Sequence, residues 1–303
     1  MKTSHPGGAI PMIVVAALLF SLMDASTKFL GGVLSVVIVL WTRYSIQTAV
    51  MATAVWRHRG SAGFRTRHPR FQLLRALALV LLSVLSFFSL RHLPLAEFTA
   101  IIMLSPVLVT AIASRMSRMP IGLLRWSLLL GGFAGTLVVI RPGGALFGPA
   151  AILPLLATGV ATAYNLLSSR LAVLEDPHTT QFYTGAIGMT LMLPMVAMQA
   201  GELTAMFSTL NATVLMVLVA AGLLGTAGHL LLVMAFRRAH AAALMPFTYT
   251  QIAFAAALGW VLFRHVPDAW AWCGMALIAA SSCGSAWLDT RRRLAPPTLG
   301  KEQ

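Results

Sequence analysis

Apolar residues along this chain come in long blocks rather than in a short alternating period. Runs of about 20 residues, rich in Leu, Val, Ala, Met and Phe, recur between short basic or Gly/Pro-containing breaks, long enough to cross a bilayer as helix at 1.5 Å per residue. Ten such runs can be drawn, at 10–30, 34–56, 71–90, 93–113, 123–140, 150–171, 180–200, 212–236, 239–263 and 270–288. A membrane barrel would show strict alternation, whereas these runs do not. Backbone groups in lipid must be satisfied within the segment, so each run is expected to be a helix. The pattern predicts an all-α integral membrane protein with ten transmembrane helices. Pro106, Pro154, Pro194 and Pro246 fall inside runs and mark expected kinks.

Composition agrees. Of 303 residues 58% are hydrophobic and 10% charged, against roughly a quarter charged in soluble domains. The net charge of +14 would suit nucleic acid if it lay on one soluble face, but the basic residues sit in short loops between apolar runs. Counting Lys and Arg by side puts seventeen on the face that carries both termini, with Arg57–Arg75, Arg237, Arg238 and Arg291–Arg293 among them. Only Arg91, Arg141 and Arg264 fall on the other. By the positive-inside rule both termini are expected in the cytoplasm, in a cell inner membrane. The first run is read as a transmembrane helix and not a cleaved leader, because Asp24 and Lys28 interrupt it. Cys273 and Cys283, ten residues apart on one expected helix, cannot pair with each other.

Sliding the chain by 146 residues lays Arg91 on Arg237, Ala96 on Ala242, Arg118 on Arg264 and Trp126 on Trp272. Each half then holds five spans, and an odd number turns the second copy upside down. The expected units are a repeat over 1–146, an inverted repeat over 147–293 and a cytoplasmic tail over 294–303. Inverted repeats are common in secondary transporters, with cargo bound at the repeat interface near the midplane.

Several short motifs then fall in a familiar order. They are Leu93-Pro94-Leu95-Ala96-Glu97, Ser105-Pro106, Gly132-Phe133-Ala134-Gly135 and Arg141-Pro142-Gly143 in the first half. Gly225-Thr226-Ala227-Gly228-His229, the stretch Pro246 to Gln251, and Val266-Pro267-Asp268 follow in the second. Together the chain resembles the EamA type of the drug/metabolite transporter superfamily over nearly its whole length. The resemblance implies a ten-helix permease of two EamA repeats working by alternating access. Such proteins move amino acids, opine-type metallophores, riboflavin, S-adenosylmethionine and other small metabolites, more often outward than inward. It also implies a glutamate at the ends of the fourth and ninth helices, where this chain has Arg118-Met119 and Arg264-His265.

Ionisable residues inside a span are costly and are functional candidates by default. Arg43 lies about nine residues into the second span, roughly 14 Å deep. It can bind an anionic group on the cargo or fix packing against another helix. Asp24 and Lys28, four apart, share a helix face in the favourable order. Asp24 can be a proton carrier or half of a structural pair with Lys28, and Lys28 is close enough to the outer end to snorkel. Gln47, Tyr164, Asn165, Gln181, Tyr183, Thr248, Tyr249, Thr250 and Gln251 recur at matching depth as a candidate cavity lining. Each alone also fits interhelical hydrogen bonding. His229 is expected to be a packing residue, since no metal-spaced partners accompany it.

These features favour a secondary transporter of a small polar metabolite, most simply an exporter of amino-acid-derived carboxylates. Import of a riboflavin- or S-adenosylmethionine-like molecule is the alternative. An integral membrane enzyme on lipid-like substrates is a weaker reading, as the eight acidic residues form no cluster. No phosphate-binding glycine loop, cofactor motif or metal set stands in the chain, so no cofactor is expected. The expected partners are the cargo, the bilayer and, through Asp24, protons.

Overall fold

Helix α3 (Pro69–His92) shows how the sequence builds the bundle. Gln72, Arg75, Ala76, Leu79 and Ser83 form one buried face, while Leu73, Leu74, Leu77 and Leu81 are exposed. Apolar side chains face outward, as a lipid solvent requires, and polar ones face inward. The same logic runs through a computed structural model that describes residues 8–116, 123–140, 152–199, 211–239 and 241–294. Among these the chain is helical throughout, with no strand.

The elements are α1 (Ala9–Leu30), α2 (Val36–Arg59), α3, α4 (Leu95–Ile102), α5 (Ser105–Met116), α6 (Leu123–Ile140), α7 (Ile152–Leu174) and α8 (Pro177–Met198). Then follow α9 (Ala212–Arg238), α10 (Ala241–Leu244), a 3-10 turn (Met245–Tyr249), α11 (Thr250–Phe263) and α12 (Ala269–Leu294). Among the described residues six helices are clearly long and apolar enough to cross a membrane: α1, α2 with its 3-10 extension to Phe64, α3, α7, α8 and α9. Shorter apolar helical stretches occupy the other four expected positions, at Leu95–Val109, Trp126–Val139, Phe247–Phe263 and Ala269–Ser281. The chain is a multi-pass membrane protein.

Local chemistry sets the ends. Pro69 and Pro177 open α3 and α8, where a missing N–H costs nothing. Asn211 and Asp176 cap α9 and α8 by accepting from the backbone N–H of Val214 and His178. Two expected spans are broken rather than merely kinked. Pro106 cannot donate to the carbonyl four residues back, and the helix gives way at Met103–Leu104. Neighbours bond carbonyls around the break: Thr158 donates to Ile101 (3.0 Å), which also accepts from the Leu104 N–H (3.1 Å), and Tyr249 donates to Met103 (2.8 Å). The ninth span is likewise interrupted by the 3-10 turn around Pro246.

Helices pack in a regular set of pairs: α1 with α9, α3 with α7, α2 with α8, α6 with α12, and α4 with α11. Gly222, Gly225 and Gly228 let α9 approach closely. A methyl there would meet Ile46 (2.7 Å), Met23 (2.9 Å) and Phe20 (2.9 Å), respectively.

Outside the spans, the α7–α8 turn is tied to the segment before α3 by Glu175. One carboxylate oxygen accepts from the hydroxyl of Thr66, from the backbone N–H of Arg67 and His68, and bonds the His68 ring. Partial burial by itself would raise the Glu175 pKa, but the hydrogen bonds outweigh it and hold the carboxyl below its usual value. A carboxylate depressed in the folded state stabilises above its unfolded pKa and loses that contribution as pH falls through the folded one. Glu175→Gln should therefore lower the melting temperature at pH 7, and the gap to wild type should close as acid protonates Glu175. A gap unchanged from pH 7 to pH 3.5 would show the tie is not electrostatic.

Candidate functional site

A cavity of ≈ 130 Å³ lies between α1, α2, α3, α4, α5, α7, α9, α11 and the 3-10 turn. Its polar rim is made by Asp24 and Thr27 of α1, Arg43 of α2, Ser83 and Ser86 of α3, Ser105 of α5, Tyr164 and Asn165 of α7, His229 of α9, Thr248 and Gln251. Phe20, Phe98 and a set of aliphatic side chains fill the remaining wall.

Arg43 enters this cavity only 8% exposed. One guanidinium nitrogen contacts the Met23 thioether (2.9 Å), a weak acceptor, and Nε is buried with no partner. Asp24, on the neighbouring helix, receives a long bond from the Gln251 amide (3.4 Å). The two charges attract across the cavity without forming an ion pair. A guanidinium left this incompletely satisfied in a low-dielectric site is a strong electrostatic recess for an oxygen anion.

Of the residues picked out by sequence, Asp24, Arg43, Tyr164, Asn165, Thr248 and Gln251 line the cavity together. Others do not. Gln47 donates to the carbonyl and side-chain oxygens of Gln181 (2.9 and 3.0 Å) and ties α2 to α8. The Tyr183 hydroxyl donates to the carbonyl of Phe64 (2.7 Å), and Tyr249 serves the broken α4–α5 segment. Lys28 does not pair with Asp24. Its ammonium donates to the carbonyls of Leu90 (2.8 Å) and Leu93 (2.7 Å) at the end of α3.

Two assignments change more substantially. Arg75, counted above with the cytoplasmic loop, is fully buried. It donates to Ser168 (2.8 Å), Thr184 and Tyr164 (2.7 Å), and its guanidinium stacks 4.8 Å from the Tyr164 ring centroid. Its helix-face partners Gln72 and Ser83, at spacings of three and eight, are the signal that could have marked it as interior. His229 is not only a packing residue. It lines the cavity, and its Nδ1 lies 3.0 Å from the Tyr164 hydroxyl.

The position of one expected helix-end glutamate, Arg118-Met119, lies outside the described residues. At the other, Arg264 closes α11 in the left-handed conformation (φ 55°). His265 then meets Glu97 from α4 at 2.9 Å, so an acid is supplied there from another helix.

Known proteins resemble this chain. The EamA-like transporter family matches residues 149–287. That match places an EamA-like segment in the second part of the chain. Relatives extend along the rest. A riboflavin transporter of Rhizobium johnstonii is 27% identical, over 95% of this chain and 94% of its own length. The pseudopaline exporter CntI of Pseudomonas aeruginosa is 25% identical, over 89% and 93%. A solved structure described only as "Crystal structure of protein" superposes with a TM-score of 0.65 at 21% identity, covering 95% of this chain and 99% of its own. That likeness concerns the fold. Both of these named relatives are transporters of small molecules by name.

Proposed function

We propose that this EamA-type protein is a secondary transporter of the bacterial inner membrane that exports a small polar metabolite bearing a carboxylate. Amino-acid-derived acids, including opine-type metallophores, are the favoured cargo. The observation that carries this reading is Arg43, buried in the cavity wall with Nε unpartnered and only a thioether against its terminal nitrogen. A cargo carboxylate would complete it with two parallel hydrogen bonds. Asp24, in the same cavity but unpaired with Arg43, would receive the ammonium of an amino-acid-derived molecule, or a proton once the cargo has left.

Alternating access between two inverted repeats is part of the proposal, and the helix pairing supports it. A shift of 146 residues carries α1 onto α7, α3 onto α9, α2 onto α8 and α6 onto α12. The pairs α1–α9 and α3–α7 then exchange, while α2–α8 and α6–α12 map onto themselves. Tyr249 and Met103, bonded to each other, are themselves 146 apart. With five spans in each half, reporter fusions at residues 60, 118, 176 and 293 should read cytoplasmic, and one at 145 external. A cytoplasmic signal at 145 would remove the inverted repeat.

A second reading is favoured by the relatives named as riboflavin transporters and by the rings of Phe20, Phe98 and Tyr164 in the wall. It makes the cargo a flat, neutral, ring-bearing molecule. Purified protein in liposomes separates the two when riboflavin and a panel of amino acids and N-carboxyalkyl amino acids are offered. Counterflow of the acids without nucleotide supports the first reading. Counterflow of riboflavin alone replaces it with the second.

A further inference from the structure

Arg75 does not reach the cavity, yet the hydrogen-bond chain that begins at it ends there. An arginine is a donor only and stays charged. Its Nε donates to Ser168, one terminal nitrogen to Thr184, and the other to the phenol oxygen of Tyr164. All three partners are neutral, so each must accept from Arg75 and send its own proton elsewhere. Thr184 does so to the carbonyl of Thr180 (2.9 Å). For Tyr164 the hydrogen-bonding group opposite Arg75 is His229 Nδ1, at 3.0 Å. Arg75 can only donate to the phenol oxygen, so Tyr164 gives its own proton to the neighbouring Nδ1.

An accepting Nδ1 carries no proton, so the ring proton of His229 resides on Nε2. Among the described residues that atom has no hydrogen-bond partner, and it belongs to a cavity-lining side chain. We infer that Arg75 is a positioning residue which, through Tyr164, holds His229 as the Nε2–H tautomer and so presents a second donor, beside Arg43, to an oxygen acceptor on the cargo. Phe20, 4.8 Å from the His229 ring centroid, and Tyr164, edge-on at 5.5 Å, keep the ring from turning over. The inference rests on the cavity being the cargo site, and it narrows the cargo's recognised group to a carboxylate or carbonyl oxygen.

The tautomer can be read directly by nitrogen NMR on full-length protein labelled with 15N-histidine in lipid nanodiscs. The His229 signals are identified among eight histidines by their loss in His229→Gln. In wild type, Nδ1 should appear unprotonated and hydrogen-bonded and Nε2 protonated, as a single species. In Arg75→Gln the Tyr164 oxygen is free to accept, so an Nδ1–H population should emerge. In Tyr164→Phe the hydrogen-bond shift of Nδ1 should vanish. An Nδ1–H or doubly protonated ring in wild type overturns the inference, with no variant needed. So does an Arg75→Gln spectrum identical to wild type. Transport of riboflavin in place of any acid would defeat the proposed cargo and leave these spectra as they are.

Discussion

Arg43→Gln should reduce transport of the native cargo by roughly ten- to a hundred-fold while the protein inserts and folds normally, the range expected for losing hydrogen bonds to a charged group. The cause is local. Arg43 lines the cavity with Nε unpartnered, and among the described residues no carboxylate closes onto it. Removing it therefore breaks no direct ion pair, although Asp24 loses the cation that attracts it across the cavity. Its one direct contact can be tested separately, because Met23→Leu removes the sulfur and keeps the bulk. That variant should transport nearly as wild type. Arg43→Lys should recover only part of the loss, since an ammonium cannot hold a carboxylate by two parallel bonds. Transport rates in liposomes, with size-exclusion profiles as the folding control, decide among these outcomes. If Arg43→Gln does not survive purification, Arg43 is a packing residue. A folded Arg43→Gln with wild-type transport removes the anion-binding reading altogether.

The largest loss of stability should come from a residue with no polar atom in its side chain. Gly274 of α12 faces Gly135 of α6. A Cβ at 274 would sit 2.7 Å from the Gly135 carbonyl oxygen and 2.6 Å from Val139, and one at 135 would meet the Gly274 oxygen at 2.8 Å. Two of these three obstacles are backbone, so no rotamer change relieves them and the helices must move apart. Close approach through small residues is how membrane helices gain packing without a hydrophobic driving force. Gly274→Val should cost roughly 1–3 kcal/mol or more from overpacking and lower the melting temperature by on the order of 5 °C. Gly159 of α7 is the control, with nothing within 4 Å of an added methyl. Gly159→Ala should match wild type or gain slightly, as alanine is the better helix former. Equal melting of Gly274→Val and wild type would mean that α6 and α12 do not pack this closely in the membrane.

The helix-pair geometry behind that prediction also shows where sequence reasoning reaches its end. Block hydrophobicity was enough for an all-helical membrane protein and for the approximate bounds of its segments, since lipid leaves one choice for a spanning backbone. Leu123–Ile140 agrees to the residue, and Ala212–Arg238 exceeds expectation by two. Pro106 and Pro246 fall where two spans are interrupted, whereas Pro154 and Pro194 stand inside continuous helices, so the missing donor alone does not decide a break. Ionisable residues within apolar runs pointed to Asp24 and Arg43, and both line the cavity. These are local or compositional properties, which a sequence carries openly.

What the tertiary structure decided is which polar groups meet. Gln47 and Tyr249 were as polar and as deep as Asn165 and Gln251, but they satisfy Gln181 and a carbonyl freed by the proline break. Depth along a span is set by residue number, whereas the direction a side chain faces depends on how each helix is rotated in the bundle. Arg75 shows the same limit from the other side. Its place near a basic loop made it look like a topology anchor, and only the positions of Ser168, Thr184 and Tyr164 on two other helices make it an interior cation. His229 meets the Tyr164 hydroxyl only because α7 and α9 bring the two rings together. Partners some 65 to 109 residues away in the chain leave no period or motif in sequence, because their meeting is fixed by packing and not by spacing.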